Sequence, residues 1–151
     1  MPDFDAIAVA LAARFAAAQI TPPTGGYVNV RASLPYPPAA MVPLPAVFVV
    51  PAEGSFPLAG NGIRRGEHDF TVRFYFAQTG TPEKDIKALL KWLTVLVDQL
   101  KASVMLGGLA GVGPVQVSDW RIGKLTFGDQ DYSGIELSVQ VVTNEAWAVT
   151  A

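Results

Sequence analysis

Hydrophobic and polar positions recur with several different rhythms along the chain, and each rhythm predicts an element. Residues 4–19, "FDAIAVALAARFAAAQ", are apolar on almost every side, with Arg14 and Gln19 as the few polar breaks. Asp3 or Asp5 suits the N-cap, and the stretch predicts a helix that stops before Pro22 and Pro23. A helix apolar all round wants cover on more than one face, and in a small domain a neighbouring subunit can supply the second.

The next rhythms are shorter. "YVNVRA" at 27–32 predicts a strand, and five prolines between positions 35 and 45 then predict an extended connector. "AVFVV" at 46–50 is a continuous apolar run suited to a buried strand. After it, "PAEGSFPLAGNGIRRG" at 51–66 holds four glycines and two prolines and predicts a long loop. Period two then becomes clean: Phe70, Val72, Phe74 and Phe76 alternate with Asp69, Thr71, Arg73 and Tyr75. The two strands predict an antiparallel hairpin with a projecting tip over residues 52–67.

A second helix follows, with Thr81 as N-cap, Pro82 at the first helical position, and Glu83 and Asp85 complementing the dipole. Its predicted apolar stripe is Ile86, Leu89, Leu90, Leu93, Val97, Leu100 and Val104, widened by Trp92, Val95 and Leu96. "GGLAGVG" at 107–113 breaks the chain. "VQVSDWRIGKLTF" and "YSGIELSVQVVT" then predict two more strands around a "GDQD" turn. The phase of the first slips near Ser118–Asp119 and again near Gly123, which predicts bulges. In the second, Ile135, Leu137, Val139 and Val141 face inward. The predicted fold is a single α+β domain spanning 1–151, with a mainly antiparallel sheet and two helices in the order α-β-β-β-α-β-β. Residues 144–151 form a tail beyond the last strand pattern.

Composition narrows the function. The chain has 151 residues, half of them hydrophobic and 16% charged, so it can bury a real core. Low charge also hints at apolar surface buried against another subunit. A net charge of −2 supplies no basic footprint for general nucleic-acid binding. With no cysteine, disulfides, zinc-thiolate sites and thiol nucleophiles are excluded. Asp3 and Asp5 stand where a signal peptide needs positive charge, and Arg14 interrupts the run that a membrane span would need.

The candidate chemistry lies in "RRGEHD", 64–69. His68 is the chain's single histidine, and strand alternation sets it on the face opposite Glu67 and Asp69. A metal site wants several ligands on one face, and no G-x-S-x-G pattern supplies a serine nucleophile. "GGLAGVG" lacks the lysine of a P-loop and follows a helix instead of opening one, so it is a connector. Asp129 and Asp131 lack the remaining ligands of a calcium loop and belong to a turn. No catalytic residue, metal ligand or cofactor site is expected. Trp92 and Trp120 are expected in the core. Trp147, in the tail, packs on its own domain or docks in a partner's pocket. Arg64 and Arg65 sit near the tip of the predicted loop, where binding elements usually lie.

The helical start "MPDFDAIAVALAARF", the proline-rich passage into "AVFVVPAEG", "GEHDFTVRFYF" and "DWRIGKLTFGDQDYSGIELSVQVVTNE" together resemble the tail terminator (tail completion) proteins of siphophage-type bacteriophages. The resemblance covers most of the chain. It implies a structural virion protein, not an enzyme, that forms a homo-oligomeric, hexameric ring on the tail tube and stops its polymerisation. The implied partners are further copies of the chain, the tail tube protein and a head-completion or connector protein. DNA would pass through the lumen without specific binding, no membrane would be involved, and assembly would take place in the bacterial host cytoplasm. In that setting Phe56, Arg64, Arg65 and Glu67 become lumen-loop or interface candidates, with Ile7, Leu11 and Phe15 of the first helix as further interface candidates and Trp147 as a docking candidate. Another head–tail junction protein, such as a head-closure component, carries similar features. A small hydrolase or metal-dependent enzyme using Glu67, His68 and Asp69 is the reading from a different class.

Overall fold

The computed structural model describes residues 3–20, 28–55, 58–59, 63–78, 85–101, 106 and 112–146. Among them the elements are α1 (Phe4–Ala16), β1 (Gln19–Ile20), β2 (Val28–Asn29), β3 (Ala32–Leu34), β4 (Ala46–Ser55) and β5 (Leu58–Ala59). Then follow β6 (Ile63–Gln78), α2 (Ile86–Lys101), β7 (Val112–Phe127) and β8 (Gln130–Ala146). The fold is α+β with a mostly antiparallel sheet, as the alternation predicts.

Asp3 is the N-cap of α1, its carboxylate accepting the Ala6 N–H at 3.1 Å. The helix ends at Ala16, three residues earlier than its composition suggests. Ala18 turns into the core, and Gln19 and Ile20 leave as β1 to pair with β2.

The main sheet runs β3-β4-β6-β8-β7, with β5 added beside β6. Among the described strand pairs only β3–β4 is parallel. Both helices contribute to one core on one face of this sheet. Ile7, Leu11 and Phe15 from α1 and Leu89, Trp92 and Leu96 from α2 meet Val72, Phe74, Ile135, Leu137 and Val139. Each of these is fully buried, and full burial of such a side chain contributes about 1.5–3 kcal/mol.

Among the described residues the other face is open except at one end. There Phe48, Tyr75, Leu125 and Tyr132 form a second cluster, covered by Met41, Val42 and Leu44. The proline-rich connector is therefore a lid, and it contains a cis Leu44–Pro45 peptide. Tyr75, read from the alternation as a polar-face residue, is 1% exposed beneath that lid.

Several expectations are corrected. The strand predicted at 27–32 is two, β2 and β3, separated at Val30 and Arg31. The loop predicted over 52–67 is mostly strand. β4 continues to Ser55 and pairs with β6 out to Ser55↔Glu67, after a register shift between Pro51 and Glu53. On its other side β6 pairs with β8 as far as Ile63↔Ala146, so three strands extend together. Glycine and proline do not exclude a strand whose backbone groups find partners, and here β4 and β6 pair with each other while β8 backs β6 from the far side. Asn144, Glu145 and Ala146, assigned to a tail, are the end of β8.

In α2 the buried line is Leu89, Trp92, Leu96 and Leu100, while Ile86 and Leu90 of the predicted stripe are 43% and 47% exposed. Thr81, Pro82 and Glu83, expected at the start of this helix, and Val104 lie outside the described residues. In β7 a register shift does fall between Val117 and Asp119, at the predicted slip. Gly123 instead pairs in register with Gly134, and a further shift lies between Val112 and Val115. The "GDQD" turn is a two-residue hairpin, Gly128–Asp129, joining the Phe127↔Gln130 pair. Gly128 takes φ +60°, which glycine adopts without steric cost.

Candidate functional site

The pleat of β6 decides what the ionisable cluster is. Burial alternates along it: Gly66, His68 and Phe70 face the helices, while Arg65, Glu67 and Asp69 face the open side. His68 is 6% exposed and stands in register between Gly54 on β4 and Val141 on β8. Its Nε2 lies 3.1 Å from Thr143 Oγ1, a hydroxyl that is itself buried. The Phe4 ring at the start of α1 packs edge-on to the imidazole, with centroids 4.7 Å apart. Gly54 faces the imidazole directly, at a position where a side chain would overlap Nδ1.

Burial pushes the His68 pKa below the ordinary value, and the nearby charge of Asp69 offsets part of that shift. A cavity of about 170 Å³ opens beside it, lined by Phe4, Pro51, Ala52, Glu53, His68, Asp69 and Phe70. The structure thus separates His68 from Glu67, as the alternation requires. Among the described residues no three His, Asp or Glu side chains gather as a metal-ligand set.

Arg65 is on β6, not on a loop tip, and pairs with Glu67 two residues on at 3.3 Å. Both side chains are about half exposed, so the pair contributes at most about 1 kcal/mol. Arg64 is also a β6 position, in register with Leu58 and Glu145; its side chain, Phe56 and Trp147 lie outside the described residues. Ile7, Leu11 and Phe15 are 0% exposed within the chain's own core. They have no surface left for a neighbouring subunit, and this corrects their place among the interface candidates. The side of α1 that remains open is Val9, at 49% exposure, with Ala13 and Ala16.

On the open sheet face, Arg73, Glu136 and Arg121 stand in one row across β6, β8 and β7. Arg73 Nε and Arg121 approach the same carboxylate oxygen, at 3.3 and 3.8 Å. A cavity of about 260 Å³ lies over this row, floored by Tyr75 and Leu125. Burial raises the Tyr75 pKa, and the Arg73 guanidinium beside it works the other way.

Sequence reading missed two aromatic residues on the surface. Trp120, expected in the core, is 52% exposed, and Tyr36 is 62% exposed between prolines. Trp120 pairs with Leu137 and so belongs to the helix side of the sheet, but β7 is the edge strand and the indole is left half exposed beside α2. Between them lies a cavity of about 370 Å³, with Leu93, Thr94, Val97, Asp98 and Lys101 on α2 and Val117 and Trp120 on β7. It adjoins a second of about 190 Å³ that reaches Leu100, Val115 and Gln116. The one sequence signal for this was the phase slip at Ser118–Asp119, which puts an extra residue just before Trp120.

Compared with protein-family models and with curated proteins, the chain matches none.

Proposed function

We propose that the chain is a structural subunit of a phage head–tail junction, a tail-terminator-like protein that closes into a ring on the end of the tail tube. The observation that carries this reading is where large apolar side chains remain exposed. Tyr36 lies just beyond β3 at one edge of the sheet, and Trp120 lies on β7 at the other. A closed ring joins unlike patches, one from each neighbour, so each subunit must present two. The sequence resemblance to tail terminators points the same way. The enzyme reading through Glu67, His68 and Asp69 loses support, because the imidazole is committed to Thr143 and Phe4 on the face away from both acids.

The protein acts by shape: one end of the ring fits the tube, the other meets the head-completion complex. Electron microscopy and native mass measurement of the purified chain, alone and with tail tubes, test this. Rings of uniform rotational symmetry seated on tube ends are expected. A strict monomer at every concentration that ignores tube ends would overturn the reading. Binding to a portal-side component in place of the tube would make it a head-closure protein instead.

A further inference from the structure

We infer that the groove between α2 and β7 is one half of a head-to-tail contact, and that its occupant is the proline-flanked Tyr36 of a second copy of this chain. The inference rests on the ring reading and names the two surfaces that would make the ring.

The receiving half is unusual for a sheet edge. β7 is the last strand of the order β3-β4-β6-β8-β7, so its outer backbone has no partner among the described residues. Edges of this kind are normally blunted by proline, bulges and charge. β7 has all three: Pro114, the register shift at Ser118, and Asp119, Arg121 and Lys124. An edge so guarded against strand addition nonetheless leaves an indole half exposed beside an apolar groove. That combination suits side-chain docking. Leu93, Val97 and Val117 make the apolar floor, and Thr94, Asp98 and Lys101 make a polar rim.

The inserting half is on the opposite edge. Tyr36 follows β3 by two residues and is the most exposed large hydrophobic side chain among those described. Pro35, Pro37 and Pro38 flank it, and proline's fixed φ lowers the entropy lost when such a segment docks. Proline-rich segments bind grooves lined by aromatic side chains, which is what Trp120 provides. Charge agrees as well. Arg31, exposed just before β3, complements Asp98, whose side chain is 60% exposed at the groove rim; Lys101 stands 3.9 Å from that carboxylate and is itself 75% exposed, a weak surface pair that an incoming guanidinium can share. Because the two halves sit on opposite edges, each copy offers one and receives one, and the contact propagates to the next copy until it closes.

Two exposed substitutions test this, Tyr36→Ala and Trp120→Ala, each checked for a wild-type circular dichroism spectrum and melting temperature. Each variant alone is expected to lose the ring and sediment as a monomer. Mixed in equal amounts, they should form heterodimers and nothing larger, since Trp120 survives on one variant and Tyr36 on the other. Wild-type-like rings from either variant, or a mixture that stays monomeric, would overturn the contact. The chain has no cysteine, so the pair Ala39→Cys and Thr94→Cys in one chain, which keeps Tyr36 and Trp120 in place and uses an exposed residue of the same proline-rich segment, gives an independent check. Oxidation should yield a ladder of linked copies, and each single substitution no more than a dimer; absence of the ladder also overturns the contact. Wild-type rings that survive both alanine substitutions remove this contact and leave the ring reading standing. A wild-type chain that is always monomeric removes both.

Discussion

The imidazole of His68 and the hydroxyl of Thr143 meet across the β6–β8 pair, Nε2 to Oγ1 at 3.1 Å, with both residues buried. The contact ties the sheet to α1, because Phe4 at the start of that helix packs on the same ring. The chain's one histidine thus works as a fastener between layers.

Burial of that ring, which lowers its pKa, gives stability a pH dependence. The folded chain binds a proton at His68 less readily than the unfolded chain, whose value is the ordinary 6.5. The contribution is therefore fully present above about pH 6.5 and is lost as the pH falls through that value towards the lowered folded pKa; below it nothing further is lost. Urea midpoints should fall between about pH 7 and pH 5 in the wild type. In His68→Gln the same interval should be flatter. Equal slopes in both proteins would show that the histidine is not the titrating group.

Gly54 is required by the same histidine. It is exposed, and on a surface strand position alanine would normally be tolerated or preferred. Here the new methyl would overlap Nδ1 and come within 3.1 Å of Cγ and Cε1 of His68. Gly54→Ala should cost about 1–3 kcal/mol, the usual range for overpacking. In a His68→Ala background the cost should largely vanish, and a double-mutant cycle measures that coupling.

How far the sequence could be read follows from which force decides each feature. Strand alternation is local, so Phe70 to Phe74 and Ile135 to Val141 were legible, and so was the split between His68 and its flanking acids. The Asp3 cap was one of two options, for the same reason. Burial at a sheet edge is not local. Trp120 has the alternation of a core residue, and only the order of strands makes β7 the edge. Similarly, glycines and prolines between 51 and 66 read as loop until β4 and β6 pair there and β8 backs β6. Ile7, Leu11 and Phe15 looked like surplus apolar surface because the helix is apolar all round; the sheet takes that face, and Val9 is what remains.

Trp92 separates packing from hydrogen bonding. It is 0% exposed and stacks on Phe74, with centroids 4.9 Å apart, yet its indole N–H has no hydrogen-bond partner among the described residues. Leaving a buried donor unmatched costs about 1–3 kcal/mol. Trp92→Phe removes that donor while keeping an aromatic ring, so the gain and the loss of volume should nearly cancel, within about 1.5 kcal/mol. Trp92→Ala should cost about 3–5 kcal/mol. Chemical denaturation of both variants checks the contrast; a loss on phenylalanine substitution as large as on alanine would mean that the N–H is satisfied.

Gly134 and Gly123 face each other across β7 and β8, and they should respond oppositely to the same change. A Cβ on Gly134 would run into the Phe74 carbonyl oxygen and fall 2.7 Å from Leu125 Cδ1. The carbonyl is backbone in the middle of the sheet, beside the register shift between Tyr75 and Ala77, and it cannot step aside without breaking the ladder. Gly134→Ala should therefore destabilise by about 3 kcal/mol, at the upper end of overpacking costs. At Gly123 the nearest atom to a new Cβ is the mobile end of Arg121, at 3.5 Å, an ordinary contact. Gly123→Ala should be neutral or stabilise by about 0.5–1 kcal/mol, because alanine loses less chain entropy on folding. Paired urea titrations decide the matter. If Gly134→Ala proves as mild as Gly123→Ala, the close approach of β8 to the Phe74 carbonyl is wrong.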